Sequence, residues 1–139
     1  MSEENLGPTY IVTGASSGIG LAITKMLLRR NCKIIGLSRN IEASELRHTK
    51  NMECINIDFS DTTKTIEIVE KLKTKNDPLS GIICCAGFGR FGALEQFSYP
   101  QIIEQLNVNL LAHIFICKAF VPLLKQQKSG TIIFIGSDA

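Results

Sequence analysis

Residues 13–20 read Thr13-Gly14-Ala15-Ser16-Ser17-Gly18-Ile19-Gly20 and separate an apolar run, Tyr10-Ile11-Val12, from a stretch with helical spacing. The glycines fall where a strand hands over to a helix. Two readings are open: a tight corner that needs positive φ at one or two positions, or a cradle for a nucleotide's phosphates. Placement favours the cradle. The start of a helix offers unpaired N–H groups and the positive end of its dipole to an anion, and residues without side chains let that anion come close.

Outward from this turn, β-rich runs alternate with helical patterns. Residues 9–12, 33–37, 52–57, 81–84 and 131–135 are predicted strands, several apolar almost throughout, as suits parallel strands covered on both faces. The alternation predicts an open, doubly wound α/β sheet. Between the first two strands, Ile19, Ala22, Ile23, Met26 and Leu27 form one apolar stripe at helical spacing, with Arg29 and Arg30 at the negative end of the helix and Asn31 ending it. A further helix is expected over residues 61–73, with Ile66, Val69 and Leu72 inward and Asn76-Asp77-Pro78 as its breaker. Ser98 with Gln101, and Pro100 in the first turn, form a capping box opening a helical region that runs to about Lys128. Pro122 should bend or unwind its later turns.

The chain's 139 residues suit a single domain, residues 1–139. Its 45% hydrophobic and 20% charged content is that of a soluble protein, and a net charge of +2 is too slight to suggest nucleic acid as a partner. The acidic start, Met1-Ser2-Glu3-Glu4-Asn5, has no secretory pattern, which points to the cytoplasm. Residues 110–121 form the most apolar stretch, shorter than the roughly 20 residues a bilayer needs, so no membrane is expected. That helix is apolar almost all round: one face should meet the sheet and another a second subunit, making a homo-oligomer through the helix from Leu110. Cys32, Cys54, Cys84, Cys85 and Cys117 show no metal-ligand spacing and read as small buried hydrophobes, with no metal site.

The second strand ends Gly36-Leu37-Ser38-Arg39, where a dinucleotide-binding fold reads the adenosine ribose. No acidic residue is present to take a free 2′-hydroxyl, and the Arg39 guanidinium matches a phosphate, which favours NADP (NADPH) over NAD. Strand four ends in Cys85-Ala86-Gly87, a second small-residue turn. The usual order 3-2-1-4-5 sets strands one, four and five side by side at about 4.8 Å, bringing Ser137 to the same rim as Gly14.

These residues resemble the short-chain dehydrogenase/reductase family. Thr13 to Gly20 match its Thr-Gly-x-x-x-Gly-x-Gly coenzyme motif in full, and Ala86-Gly87 match the end of its Asn-Asn-Ala-Gly motif. Asp58 resembles the acidic residue bordering the adenine pocket, Asn109 the asparagine that holds a water in the proton relay, and Ser137 the catalytic serine that bonds the substrate oxygen. The resemblance implies a Rossmann-type sheet truncated after strand five. It also implies hydride transfer between a nicotinamide coenzyme and a small carbonyl or alcohol substrate, with Thr13, Gly14, Ser16, Ser17, Gly18, Ile19, Gly20, Ser38, Arg39, Asp58, Ala86 and Gly87 about the coenzyme.

Two departures stand out. Cys84 and Cys85 replace the paired asparagines, which lessens the bracing expected of the central sheet. The family's Tyr-x-x-x-Lys pair should follow Ser137 by about a dozen residues, and Ala139 is the last residue here. Neither Tyr10 nor Tyr99 suits the role, so the 139 residues alone are expected to be inactive. The expected coding sequence continues into such a segment; the alternative is a catalytically silent NAD(P)-binding or sensing module. Arg90 reads as a solvated loop charge, with an acidic substrate group as the sharper alternative, and His113 as a polar contact at a helix interface rather than a member of the relay.

Overall fold

The computed structural model describes residues 7–138; the acidic start, residues 1–5, lies outside them. Strands β1 (Thr9–Thr13), β2 (Lys33–Ser38), β3 (Met52–Asn56), β4 (Gly81–Cys84) and β5 (Thr131–Phe134) form one sheet in the order β3-β2-β1-β4-β5. All neighbours are parallel, as the apolar runs predict. Thr13 pairs with Leu37 of β2 and with Cys84 of β4, so the end of β1, where the glycine turn begins, lies between two other strand ends.

Alternation along β1 divides the core in two. Ile11 joins Leu37, Ile82 and Cys84 beneath helices α2 (Thr62–Lys73) and α4 (Ala112–Gln127), while Val12 joins Ile34 and Ile83 beneath α1 (Gly18–Arg29). Helices on both faces cover the sheet, and β4 is buried at all four positions. At the edge, β5 leaves Ile133 and Phe134 exposed.

Two helices present a face turned from the predicted one. In α1, Ile23 and Leu27 meet the core, but Ile19 and Met26 are 60% and 43% exposed, Ala22 is exposed, and Gly20 and Thr24 are buried. The cause is backbone contact, since a Cβ on Gly20 would lie 2.1 Å from the Gly14 carbonyl oxygen. The side of the helix without a side chain is therefore the side against the turn. In α2, the Asp61 carboxylate accepts the Lys64 N–H, and Val69 and Leu72 point inward as predicted. Ile66 is 47% exposed; Thr65 is buried instead, its hydroxyl donating to the Asp61 carbonyl at 2.8 Å and so needing no water.

The Ser98–Gln101 capping box opens α3 (Tyr99–Leu106). A π turn over Asn107–Leu111 joins α3 to α4, so the helix runs unbroken from Tyr99 to Gln127. This corrects the estimate from residues 110–121 alone, because the joined helix has 29 residues and its most apolar 18-residue stretch has a mean hydropathy of 1.6, enough by length and composition to cross a membrane. In this fold its Ala112, Ile116, Ala119 and Phe120 lie in the core against the sheet. The helix continues through Pro122 without unwinding, and its irregular turn lies at 107–111.

This packing sets the size of a core truncation. Ile116 is 0% exposed and Ile114, two residues earlier, is 48% exposed. In denaturant unfolding, Ile116→Ala is expected to cost about 2–5 kcal/mol and Ile114→Ala under about 1 kcal/mol.

Candidate functional site

The turn after β1 is fixed by its backbone. Gly14 has φ +66° and donates its N–H to the Leu37 carbonyl at 2.8 Å, and a Cβ there would stand 3.0 Å from Ala86. Gly18 has φ +53°, and a Cβ there would meet nothing within 4 Å. One glycine thus lets two strand ends approach, and the other keeps an approach open from outside. At the start of α1, Ser17 makes no side-chain cap and the first turn carries no acidic residue. The first bond back to this turn is Leu21 N–H to the Ser17 carbonyl, 3.0 Å, so the amides of Gly18, Ile19 and Gly20 are those a helix start leaves without intrahelical partners. An uncapped helix start with nothing to neutralise its dipole suits an anion.

Beside this turn runs a small, partly open cleft of about 120 Å3. Of the predicted residues, Gly14, Ser17, Ser38, Arg39, Asp58, Ala86 and Gly87 line it. Ser16 stands behind, its hydroxyl 2.6 Å from that of Ser38. Gly18 and Ile19 are exposed at the head of α1, and Gly20 is buried under the turn. The Asp58 carboxyl is held below its usual range, chiefly by the Ser60 hydroxyl (2.7 Å) and Ser60 N–H (2.9 Å) that it accepts, and also by the nearby Arg39 charge. The cleft therefore carries a fixed anion and a cation at the ends of adjacent strands. Ile57, Phe59, Phe88, Glu104 and Val108 also line it and were not predicted; all but Glu104 adjoin a predicted residue, Asp58, Gly87 or Asn109.

Thr13 lies beneath the cleft, fully buried. Its hydroxyl oxygen accepts the N–H groups of Cys85 and Ala86, both at 3.0 Å, and lies 3.1 Å from His113 Nε2. Two accepted bonds fill its lone pairs, so its proton is donated to Nε2. Asn109 is an exposed clamp: its side-chain oxygen accepts the Phe88 N–H at 2.9 Å and its amide donates to the Phe88 carbonyl at 2.7 Å. The backbone after β4 is thus held by two polar side chains, Thr13 and Asn109. Cys84 sits in the core, where burial first, then Cys117 and Cys85, push its thiol up to about 12.

Not every predicted residue gathers at the cleft. Ser137 is exposed beyond β5 and is not among the lining residues. Tyr10 lies against Gly81, and Tyr99 borders a separate depression with Leu94 and Phe97. Arg90 is an exposed loop charge, as read, and is not among the lining residues; it pairs with Glu104, its guanidinium 5.3 Å from the Phe88 ring centre. His113 meets the end of β1 rather than another helix.

The family profile described as short chain dehydrogenase matches residues 8–139. A probable short-chain type dehydrogenase/reductase, VdlC, of Helicobacter pylori is 33% identical over 93% of this chain and 48% of its own length. A 3-ketodihydrosphingosine reductase of Mus musculus is 24% identical over 96% of this chain and 43% of its own. The chain spans about half the length of the curated relatives it matches. Among solved structures, a metagenomic short-chain oxidoreductase in complex with NADP superimposes with a TM-score of 0.86 at 27% identity, covering 96% of this chain and 62% of that one. A short-chain dehydrogenase from Sphingobium yanoikuyae in complex with NADPH gives 0.85 at 25%, covering 95% and 54%. Glycine turn, strand order and these matches agree: the chain belongs to the short-chain dehydrogenase/reductase family.

Proposed function

We propose that this chain is the coenzyme-binding part of a cytoplasmic, NADP-dependent oxidoreductase acting on a small carbonyl or alcohol substrate. The uncapped start of α1 carries the reading: Gly18 leaves open space where any other residue would place a Cβ, directly before the helix amides. The diphosphate takes the Gly18, Ile19 and Gly20 amides. Arg39, beside the Ser16–Ser38 hydroxyl pair, takes the 2′-phosphate, and Asp58 borders the adenine. NADP is favoured over NAD because the end of β2 presents a guanidinium and no carboxylate. The NADP and NADPH held by the two solved relatives support a nicotinamide coenzyme in this fold.

The bound coenzyme supplies or accepts the hydride. In the whole protein Ser137 donates a hydrogen bond to the substrate oxygen on which charge develops, and a tyrosine and lysine spaced Tyr-x-x-x-Lys beyond residue 139 move the proton. Residues 1–139 alone bind coenzyme without turnover. Ile103, Leu106, Leu110 and Ile114 leave an apolar outer face on the long helix, and a second copy of the chain covers it.

Fluorescence titration tests the coenzyme reading. The chain should bind NADPH, and Gly18→Ala should weaken it roughly tenfold or more, since the new methyl enters the opening. Arg39→Ala should cost NADPH roughly 10–100-fold, one charge-assisted contact, and leave NADH unchanged. No binding at millimolar coenzyme, or equal loss for both coenzymes, contradicts the assignment. Light scattering tests the shared face: a dimer or larger species is expected, and a sharp monomer at high concentration rules it out.

A further inference from the structure

His113 is a buried, titratable side chain that the proposed reaction does not use. It stands where three elements meet. Its Nε2 is 3.1 Å from the Thr13 hydroxyl at the end of β1, its Nδ1 is 3.3 Å from the Asn109 carbonyl in the π turn, and its ring lies edge-on to Phe134 of β5, centres 6.4 Å apart. Because Thr13 already accepts from Cys85 and Ala86, Nε2 must be the acceptor and Nδ1 must carry the proton. Only the neutral Nδ1–H tautomer satisfies every group in this chain of bonds.

Resting on the coenzyme reading above, we propose that His113 is the positioning residue of the cradle: it fixes the Thr13 hydroxyl so that both lone pairs hold the backbone after β4, and ties that hydroxyl to Asn109. Ala86 and Gly87 line the cleft on this backbone, facing Gly14, which follows Thr13, so the imidazole sets the width of the coenzyme site without touching coenzyme. Protonation of Nε2 removes the acceptor. Thr13 must then rotate, and one of the Cys85 or Ala86 amides loses its partner inside the fold.

The direction of the pH effect follows. Burial pushes His113 below the usual imidazole value, opposed by its bond to the Asn109 carbonyl, and no charged side chain among the described residues acts on it. Of the titratable groups on the surrounding elements, Cys84, Cys85 and Cys117 are pushed up by burial and hence protonated, and Tyr10 of β1 and Lys118 and Lys125 of α4 are not among the groups that act on the imidazole. A group neutral in the fold binds its proton first in opened states, so stability is full above about pH 6.5 and is lost as pH falls below it, while the grip of the folded chain is lost at the lower pH where the buried imidazole itself takes a proton.

The test compares wild type, H113Q and H113L by NADPH titration at about pH 8 and about pH 5. The glutamine oxygen can accept from Thr13 without titrating; leucine cannot accept. At the higher pH, H113Q should bind within about threefold of wild type and H113L roughly tenfold more weakly. On acidification the ratio of wild-type to H113Q Kd should rise roughly fivefold or more; titration of the coenzyme's own phosphate is common to both and cancels. A constant ratio, or H113L binding like wild type, overturns the proposal. Melting temperatures without coenzyme separate the two readings: wild type should lose stability relative to H113Q as pH falls. That pattern without NADPH binding at about pH 8 overturns the coenzyme reading and with it the cradle role, leaving only the hydrogen bond; binding with no such pattern overturns the His113 proposal alone.

Discussion

Helix α1 can rest against the end of β1 only because residue 20 has no side chain. With a virtual Cβ at 2.1 Å from the Gly14 carbonyl, any substitution drives the helix away from the turn. That one contact decides which face of α1 meets the sheet, where the helix begins, and which amides are left without partners. The cleft follows from it, since its walls are the ends of β1, β2, β3 and β4 held in register around the turn.

Much of this was legible in the sequence because the signals are local. The five strands, the glycine turn, the capping box at Ser98 and the breaker after α2 each rest on a few adjacent residues. The strand order came from the resemblance to known folds, and the register of Thr13 with Leu37 and Cys84 agrees with it. Apolar spacing gave the existence of α1 and α2 but not their rotation. A glycine contact turned the first, and a threonine able to bond its own helix turned the second.

The least legible feature is the contact between Thr13 and His113, one hundred residues apart. It depends on the height at which α4 crosses the sheet and on the π turn that precedes the helix, neither of which leaves a periodic trace. Arg90 is a similar case: it reads as a solvated loop charge, and only the fold brings it to Glu104 beside the cleft. The cysteines were legible in part: of the five read as buried, Cys32 and Cys84 are buried and Cys54, Cys85 and Cys117 are half-buried, and the raised Cys84 thiol behaves as a small apolar group.

The account as a whole stands on free amides at the head of α1. Titrating isotope-labelled chain with NADPH while following backbone amide resonances examines them one by one. The account requires the signals of Gly18, Ile19 and Gly20 to move most, together with those of Ala86 and Gly87 across the cleft. Coenzyme that binds with those three amides unmoved, and with its largest shifts elsewhere on the protein, contradicts it.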